Sequence, residues 1–235
     1  MNVSRETREL ARVHAELSDD QVDRLALLLE ALAAEPDPPT TVAAPEDAAR
    51  THLADSLAAI DLPEVAAARR IADIGAGAGF PGLALAVVLP AAHVDLVEST
   101  RRKCEVIERL ADAAGIENAT AVPERAEDWA RAGASEPYDL VTARALAPLA
   151  VLAEYAAPLL ADGGALVAWK GRRDEGEERA GAAAAERLGM APVQVVRVVP
   201  YAGARDHHLH VMRKVAPTPE RFPRRAGQAR KRPLA

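Results

Sequence analysis

Ten residues constrain this chain more than any others: Asp73-Ile74-Gly75-Ala76-Gly77-Ala78-Gly79-Phe80-Pro81-Gly82. They follow the apolar run 70–74, which reads as a strand, and lead into an apolar stretch over 82–89 that reads as a helix. Glycine is needed where a backbone turns tightly and passes close to a ligand. Pro81 suits the first turn of the following helix, because its missing N–H costs nothing there. A strand, a glycine turn and a helix in that order predict an open α/β sheet, whose ligands bind outside the carboxyl ends of the strands.

The rest of the chain agrees with that expectation. Short apolar runs over 93–98, 119–123, 138–143, 165–169, 193–199 and 208–213 read as further strands, with helices over 101–114, 148–160 and 174–188. Strands alternating with helices give a parallel sheet covered on both faces, a doubly wound, Rossmann-like fold with seven strands. The last two strands have no helix between them and are expected to pair antiparallel, through a turn over 201–206. Before residue 65 the pattern is helical throughout. Ser18 and Gln21 have the spacing of a capping box ahead of Val22, Leu25, Leu28, Leu29 and Leu32, and prolines at 36, 38, 39 and 45 break the chain before a second helix over 46–59. The expected division is a helical module over 1–65, an α/β domain over 66–216 and a basic Pro/Arg-rich tail over 217–235.

Composition narrows the function classes. A single cysteine, Cys104, excludes an internal disulfide and a cysteine-cage metal site. The first seventeen residues are charged where a secretion signal needs an apolar run, and no stretch approaches the 18 apolar residues of a membrane span; a bacterial cytoplasmic protein is expected. Residues 213–235 carry a net +7 while the preceding chain carries −13, within a total of −6. An acidic body with a basic tail points to a polyanionic partner.

Glu98 closes the second strand, 23 residues after Gly75, where an acid can accept both hydroxyls of a ribose. Residues 77–82 also satisfy G-x-G-x-x-G, so a dinucleotide must be weighed. Against it, Asp73 stands beside the loop, and a carboxylate there suits a ligand with ammonium and sulfonium charge better than a pyrophosphate. None of Tyr138, Tyr155 and Tyr201 is followed four positions on by lysine, so the Tyr-x-x-x-Lys pair of short-chain dehydrogenases is absent. S-adenosylmethionine is the expected cofactor, with S-adenosylhomocysteine as product.

With these features the sequence resembles the glucose-inhibited division protein B family, methyltransferases acting on N7 of a guanine in small-subunit (16S) ribosomal RNA. The resemblance rests on His52-Leu53-Ala54-Asp55-Ser56, the loop 73–82, Glu98 followed by Arg101-Arg102-Lys103, and Glu124-Arg125-Ala126-Glu127-Asp128. It continues through Thr142-Ala143-Arg144-Ala145, Trp169-Lys170-Gly171, His208-Leu209 and the tail from Arg221 to Leu234. The chain departs from the family in having His207 in place of the usual arginine, and Ala226 and Ala229 in place of prolines. The resemblance implies that Gly75 and Phe80 line the methionine side of the cofactor, that Ala126 and Glu127 take the adenine, and that Arg144 contacts the cofactor; Asp73, Gly77, Gly79 and Glu98 complete the expected set. It implies 16S ribosomal RNA or the small subunit as partner; separately, a monomer is expected, and the sequence itself leaves the oligomeric state open. Arg101, Arg102, Lys103, Lys170, Arg221, Arg224, Arg225, Arg230, Lys231 and Arg232 are the expected phosphate contacts.

The chemistry fits what is absent. Guanine N7 presents a lone pair on the major-groove edge, so no proton need be removed and catalysis is positional; no catalytic residue is singled out. Cys104 is expected to be a small buried thiol rather than a nucleophile. His207, His208 and His210 lack an accompanying carboxylate set, so no metal is expected. Two other readings remain: a small-molecule methyltransferase, which has no use for the tail, and a non-catalytic nucleotide-binding module in ribosome assembly. The tail is expected to lie over the surface as an RNA clamp, and its removal is expected to leave cofactor binding, which sits in the sheet, intact.

Overall fold

The computed structural model describes residues 17–42, 45–132 and 136–234; most of the charged N-terminal segment lies outside these residues. Helix α1 (Asp19–Ala34) begins with the expected capping box. Ser18 Oγ accepts from the Gln21 N–H at 3.2 Å, and Gln21 Oε1 accepts from the Ser18 N–H at 3.0 Å. Its apolar face, Val22, Leu25, Leu28, Leu29 and Leu32, is buried, each side chain contributing on the order of 1.5–3 kcal/mol by leaving water. The chain then runs through α2 (Pro45–Ala48), a π-helical stretch Ala49–Ala54, α3 (Asp55–Leu57) and α4 (Pro63–Ala66).

Seven strands form one sheet: β1 (Arg70–Ile74), β2 (His93–Val97), β3 (Ala119–Val122), β4 (Tyr138–Arg144), β5 (Leu160–Lys170), β6 (Gln194–Val198) and β7 (His207–Arg213). Their order is β3-β2-β1-β4-β5-β7-β6. The first five in that order are parallel. Strand β7 pairs antiparallel with both β5 and β6, so the final hairpin folds its second strand inward. Helices α1, α5 (Gly82–Val88) and α6 (Arg101–Ala113) share a core with one face of the sheet. The other face is covered by α7 (Ala126–Ala132), α8 (Leu149–Ala156), α9 (Glu175–Arg187) and α10 (Gln228–Lys231). The chain leaves β1 for β2 on one side, while β4 lies on the other, so the sheet order reverses between β1 and β4. Ligands of such sheets bind at that crevice.

Three differences from the sequence reading have local causes. Helix α7 was not expected: it is short, and one of its two buried residues is the acid Glu127, so no apolar period announces it. The helix expected over 148–160 stops at Ala156, because Pro158 cannot continue a helical ladder, and β5 starts at Leu160. The third concerns the tail, which is not a loose surface segment. Phe222, Ala229 and Leu234 are buried in the core of the second face. Arg224 Nε lies 2.7 Å from Oε1 of Glu154, a carboxylate only 1% exposed, and Arg187 donates to the Leu234 carbonyl at 2.8 Å. Residues 217–234 form a strap fastened across this face.

Candidate cofactor-binding site

A cavity of about 680 Å³ opens at the carboxyl ends of β1, β2 and β4, within the size range of cofactor sites. One rim is the glycine loop. The Gly75 N–H is bonded to the Val97 carbonyl at 2.8 Å. At Gly75 φ is +68°, a conformation that favours glycine, and a Cβ would also press on Leu146 Cδ1 at 2.5 Å. At Gly77 φ is +59°, and a Cβ would meet only the Gly75 carbonyl at 3.8 Å, leaving the backbone open to whatever enters the cavity.

Two acids secure this rim in different ways. Asp73 lies under the loop rather than in the wall. Its Oδ2 accepts from the Gly82 N–H at 2.9 Å and its Oδ1 from the Thr142 hydroxyl at 2.8 Å, tying loop, α5 and β4 together. Burial pushes its pKa up to about 6, against the pull of those two donors. Glu98 stands in the wall. Its Oε2 accepts from the Gly77 N–H at 3.2 Å; its Oε1 accepts from the Thr100 N–H at 2.8 Å and the Ser99 hydroxyl at 3.4 Å. A carboxylate has about four lone-pair sites, so capacity remains for a ribose hydroxyl.

The opposite rim comes from the helical segment before β1. His52 stacks on Phe80 with ring centroids 5.0 Å apart. Its Nδ1 is 2.9 Å from Arg144 Nη2; a guanidinium only donates, so Nδ1 accepts and the ring proton is on Nε2, which faces the Val42 carbonyl at 3.0 Å. Burial, with the charge of Arg144 adding to it, lowers the His52 pKa to about 4. Arg144 also donates to the Thr51 carbonyl at 2.7 Å and to Asp55 Oδ2 at 3.2 Å, while Asp55 Oδ1 meets His207 Nδ1 at 3.1 Å. The following residue, Ala145, has φ +52° in the same wall, a conformation costing of order 1–3 kcal/mol for a side-chain-bearing residue.

Of the expected cofactor residues, Gly75, Gly77, Phe80, Glu98, Ala126, Glu127 and Arg144 line one cavity. Asp73 and Gly79 do not: Asp73 is the buried anchor just described, and Gly79 turns against Leu83, where a Cβ would come within 2.5 Å. Sequence reading assigned no role to His52 or Asp55, although their spacing of three places them on one helical face. It also missed Gly227 and Arg230 as cavity residues.

The expected phosphate contacts divide. Arg101, Arg225, Lys231 and Arg232 are exposed, Lys103 borders the cavity, and Arg230, also exposed, turns to the cavity wall and the Leu146 carbonyl rather than standing free for a phosphate. Arg102 pairs with Asp37, and Arg221 lies over the Phe222 ring at 5.1 Å. Lys170 and Arg224 are engaged inside the fold: Lys170 Nζ contacts Glu177 Oε1 at 2.5 Å and the Ala147 carbonyl at 2.9 Å, and Arg224 pairs with Glu154. His207, His208 and His210 go to Asp55, the Gly171 carbonyl and Glu178 respectively. Cys104 is buried, with Sγ donating to the Glu98 carbonyl at 3.2 Å, and burial pushes its pKa up.

A sheet of this order with a glycine loop, a strand-end acid and a cavity at the switch point defines a Rossmann-like methyltransferase that uses S-adenosylmethionine. Among solved structures, the O-methyltransferase TomG of Streptomyces achromogenes, in complex with S-adenosylmethionine, aligns with a TM-score of 0.56 at 17% identity, over 88% of this chain and 95% of its own. Fibrillarin of Methanococcus jannaschii aligns at 0.52 and 18% identity, over 69% and 74%. A sequence model of rRNA small subunit methyltransferase G matches residues 39–208, and the chain belongs to that family. Proteins named Ribosomal RNA small subunit methyltransferase G are 35% identical in Desulfitobacterium hafniense, over 95% of this chain and 93% of the relative, and 33% identical in Bacillus subtilis, over 100% and 99%.

Proposed function

We propose that the protein transfers the methyl group of S-adenosylmethionine to N7 of a guanine in small-subunit (16S) ribosomal RNA, as a monomer in the bacterial cytoplasm. Membership of the family carries the choice of substrate, and one feature of the cavity wall is compatible with N7 as the target atom. His52, the one histidine among the described residues of the cavity wall, is bonded at both ring nitrogens and stays neutral. A site without a free imidazole base suits an acceptor that already presents its lone pair, as N7 does. The bound cofactor supplies an electrophilic methyl on a sulfonium. Gly75, Gly77 and Phe80 would hold its methionine side, Glu98 the ribose, and Ala126 and Glu127 the adenine end. Arg144, fixed by Thr51, His52 and Asp55, would shape the wall where the base enters. The residues' work is to orient the partners and exclude water.

Arg101, Lys103, Arg225, Lys231 and Arg232 would hold RNA phosphates, a sequence-independent contribution that weakens with salt. The test is digestion and mass analysis of small-subunit RNA from cells lacking the gene. One 7-methylguanosine should be missing and should return with this protein; an unchanged nucleoside profile contradicts the reading.

A further inference from the structure

The strap lies beyond the matched family region, which ends at residue 208. Nevertheless Gly227 and Arg230 stand in the cavity wall beside Glu127 and Tyr155. The Gly227 N–H donates to Glu127 Oε1 at 2.8 Å, and Arg230 Nη2 donates to the Leu146 carbonyl at 2.9 Å. Gly227 has φ +77° with nothing within 4 Å of a built Cβ, so the turn, not crowding, calls for glycine. Two hydrogen bonds therefore join strap and cavity wall, and Glu127, only 5% exposed, loses a backbone donor when the strap is absent.

We propose that the strap is a cofactor-binding element: Gly227 and Arg230 close the adenosine end of the cavity, and strap seating and cofactor occupancy strengthen each other. This rests on reading the cavity as the S-adenosylmethionine site. A planar guanidinium held by the Leu146 carbonyl is suited to lie against a purine. If the cofactor favours the seated strap, the seated strap must favour the cofactor by the same factor.

The experiment titrates S-adenosylhomocysteine calorimetrically into the full chain, R230Q, E98A and a chain ending at Arg225, which keeps Phe222 and the Arg224–Glu154 pair. The shortened chain should bind about tenfold more weakly and R230Q several-fold more weakly, the scale of lost hydrogen bonds involving charged groups. In the full chain, saturating S-adenosylhomocysteine should slow tryptic cleavage after Arg225 and Lys231. Unchanged affinity in R230Q with unchanged cleavage, while E98A binds weakly, overturns the proposal and leaves the cavity reading standing. If E98A also binds normally, the cavity reading fails and takes this proposal with it. Should the shortened chain not fold, R230Q and the protection assay decide.

Discussion

The two rims of the cavity are built on different plans. The loop rim is local: Asp73 through Gly82 and Glu98 fall within 26 residues, and the acids fix it mainly through backbone N–H groups. The facing rim is assembled from remote segments, with Arg144 bonded to Thr51, His52 and Asp55, and Glu127 bonded to Gly227. The loop rim is held mostly by its own neighbours in sequence, with remote ties at Thr142 and His52. A distributed rim exists only once the whole chain has folded, so it links the cavity to both flanking segments.

This contrast can be broken experimentally, first at the strap. Arg224 and Arg102 look alike in the sequence, but Arg224 faces a carboxylate 1% exposed, whereas Arg102 and Asp37 have side chains 64% and 68% exposed. Arg224→Ala should destabilise the protein by about 3–5 kcal/mol, because it strands a buried charge. Arg102→Ala should cost less than about 1 kcal/mol. Equal denaturation midpoints for the two variants would show that the strap is not fastened as described.

The second prediction concerns His52. Its folded pKa, about 4, lies below its ordinary 6.5, so the unfolded chain takes up the proton first as pH falls. The associated stability is full above pH 6.5 and is lost between 6.5 and about 4, amounting to about 3 kcal/mol. Asp73, raised from 3.8 to about 6, works in the opposite sense: its contribution is full below 3.8 and is lost as pH rises through 6. The His52 share is therefore read as a difference. Urea unfolding of His52→Gln should lack that part of the acid-side loss; parallel stability curves for variant and parent from pH 7.5 to 4.5 would contradict it. The smallest effect is expected from Cys104→Ala, which should keep methyl transfer within a few-fold, since a buried thiol plays no part in alkylating N7. Loss of turnover in a folded variant that still binds cofactor would indicate covalent chemistry.

Legibility follows the same division. The strands and the loop were readable because apolar period and glycine spacing are local signals. Glu98 was readable because a strand end fixes where an acid must lie. Helix α7 was hidden by burying Glu127 where an apolar residue would have announced it. The strap was misread because eight basic residues near a terminus look the same whether solvated or fastened. Only the fold reveals that Arg224 meets Glu154, and that His52 and Asp55, quoted in a motif but given no role, hold Arg144.

The account turns on what the cavity binds. Calorimetric titration of S-adenosylhomocysteine into Glu98→Ala tests this most directly, because Glu98 joins the loop rim to the expected ribose position through Gly77. The account predicts affinity weakened by about 1.5–3 kcal/mol, the range for hydrogen bonds to a charged group, with the variant still folded. Affinity equal to that of the parent would contradict it.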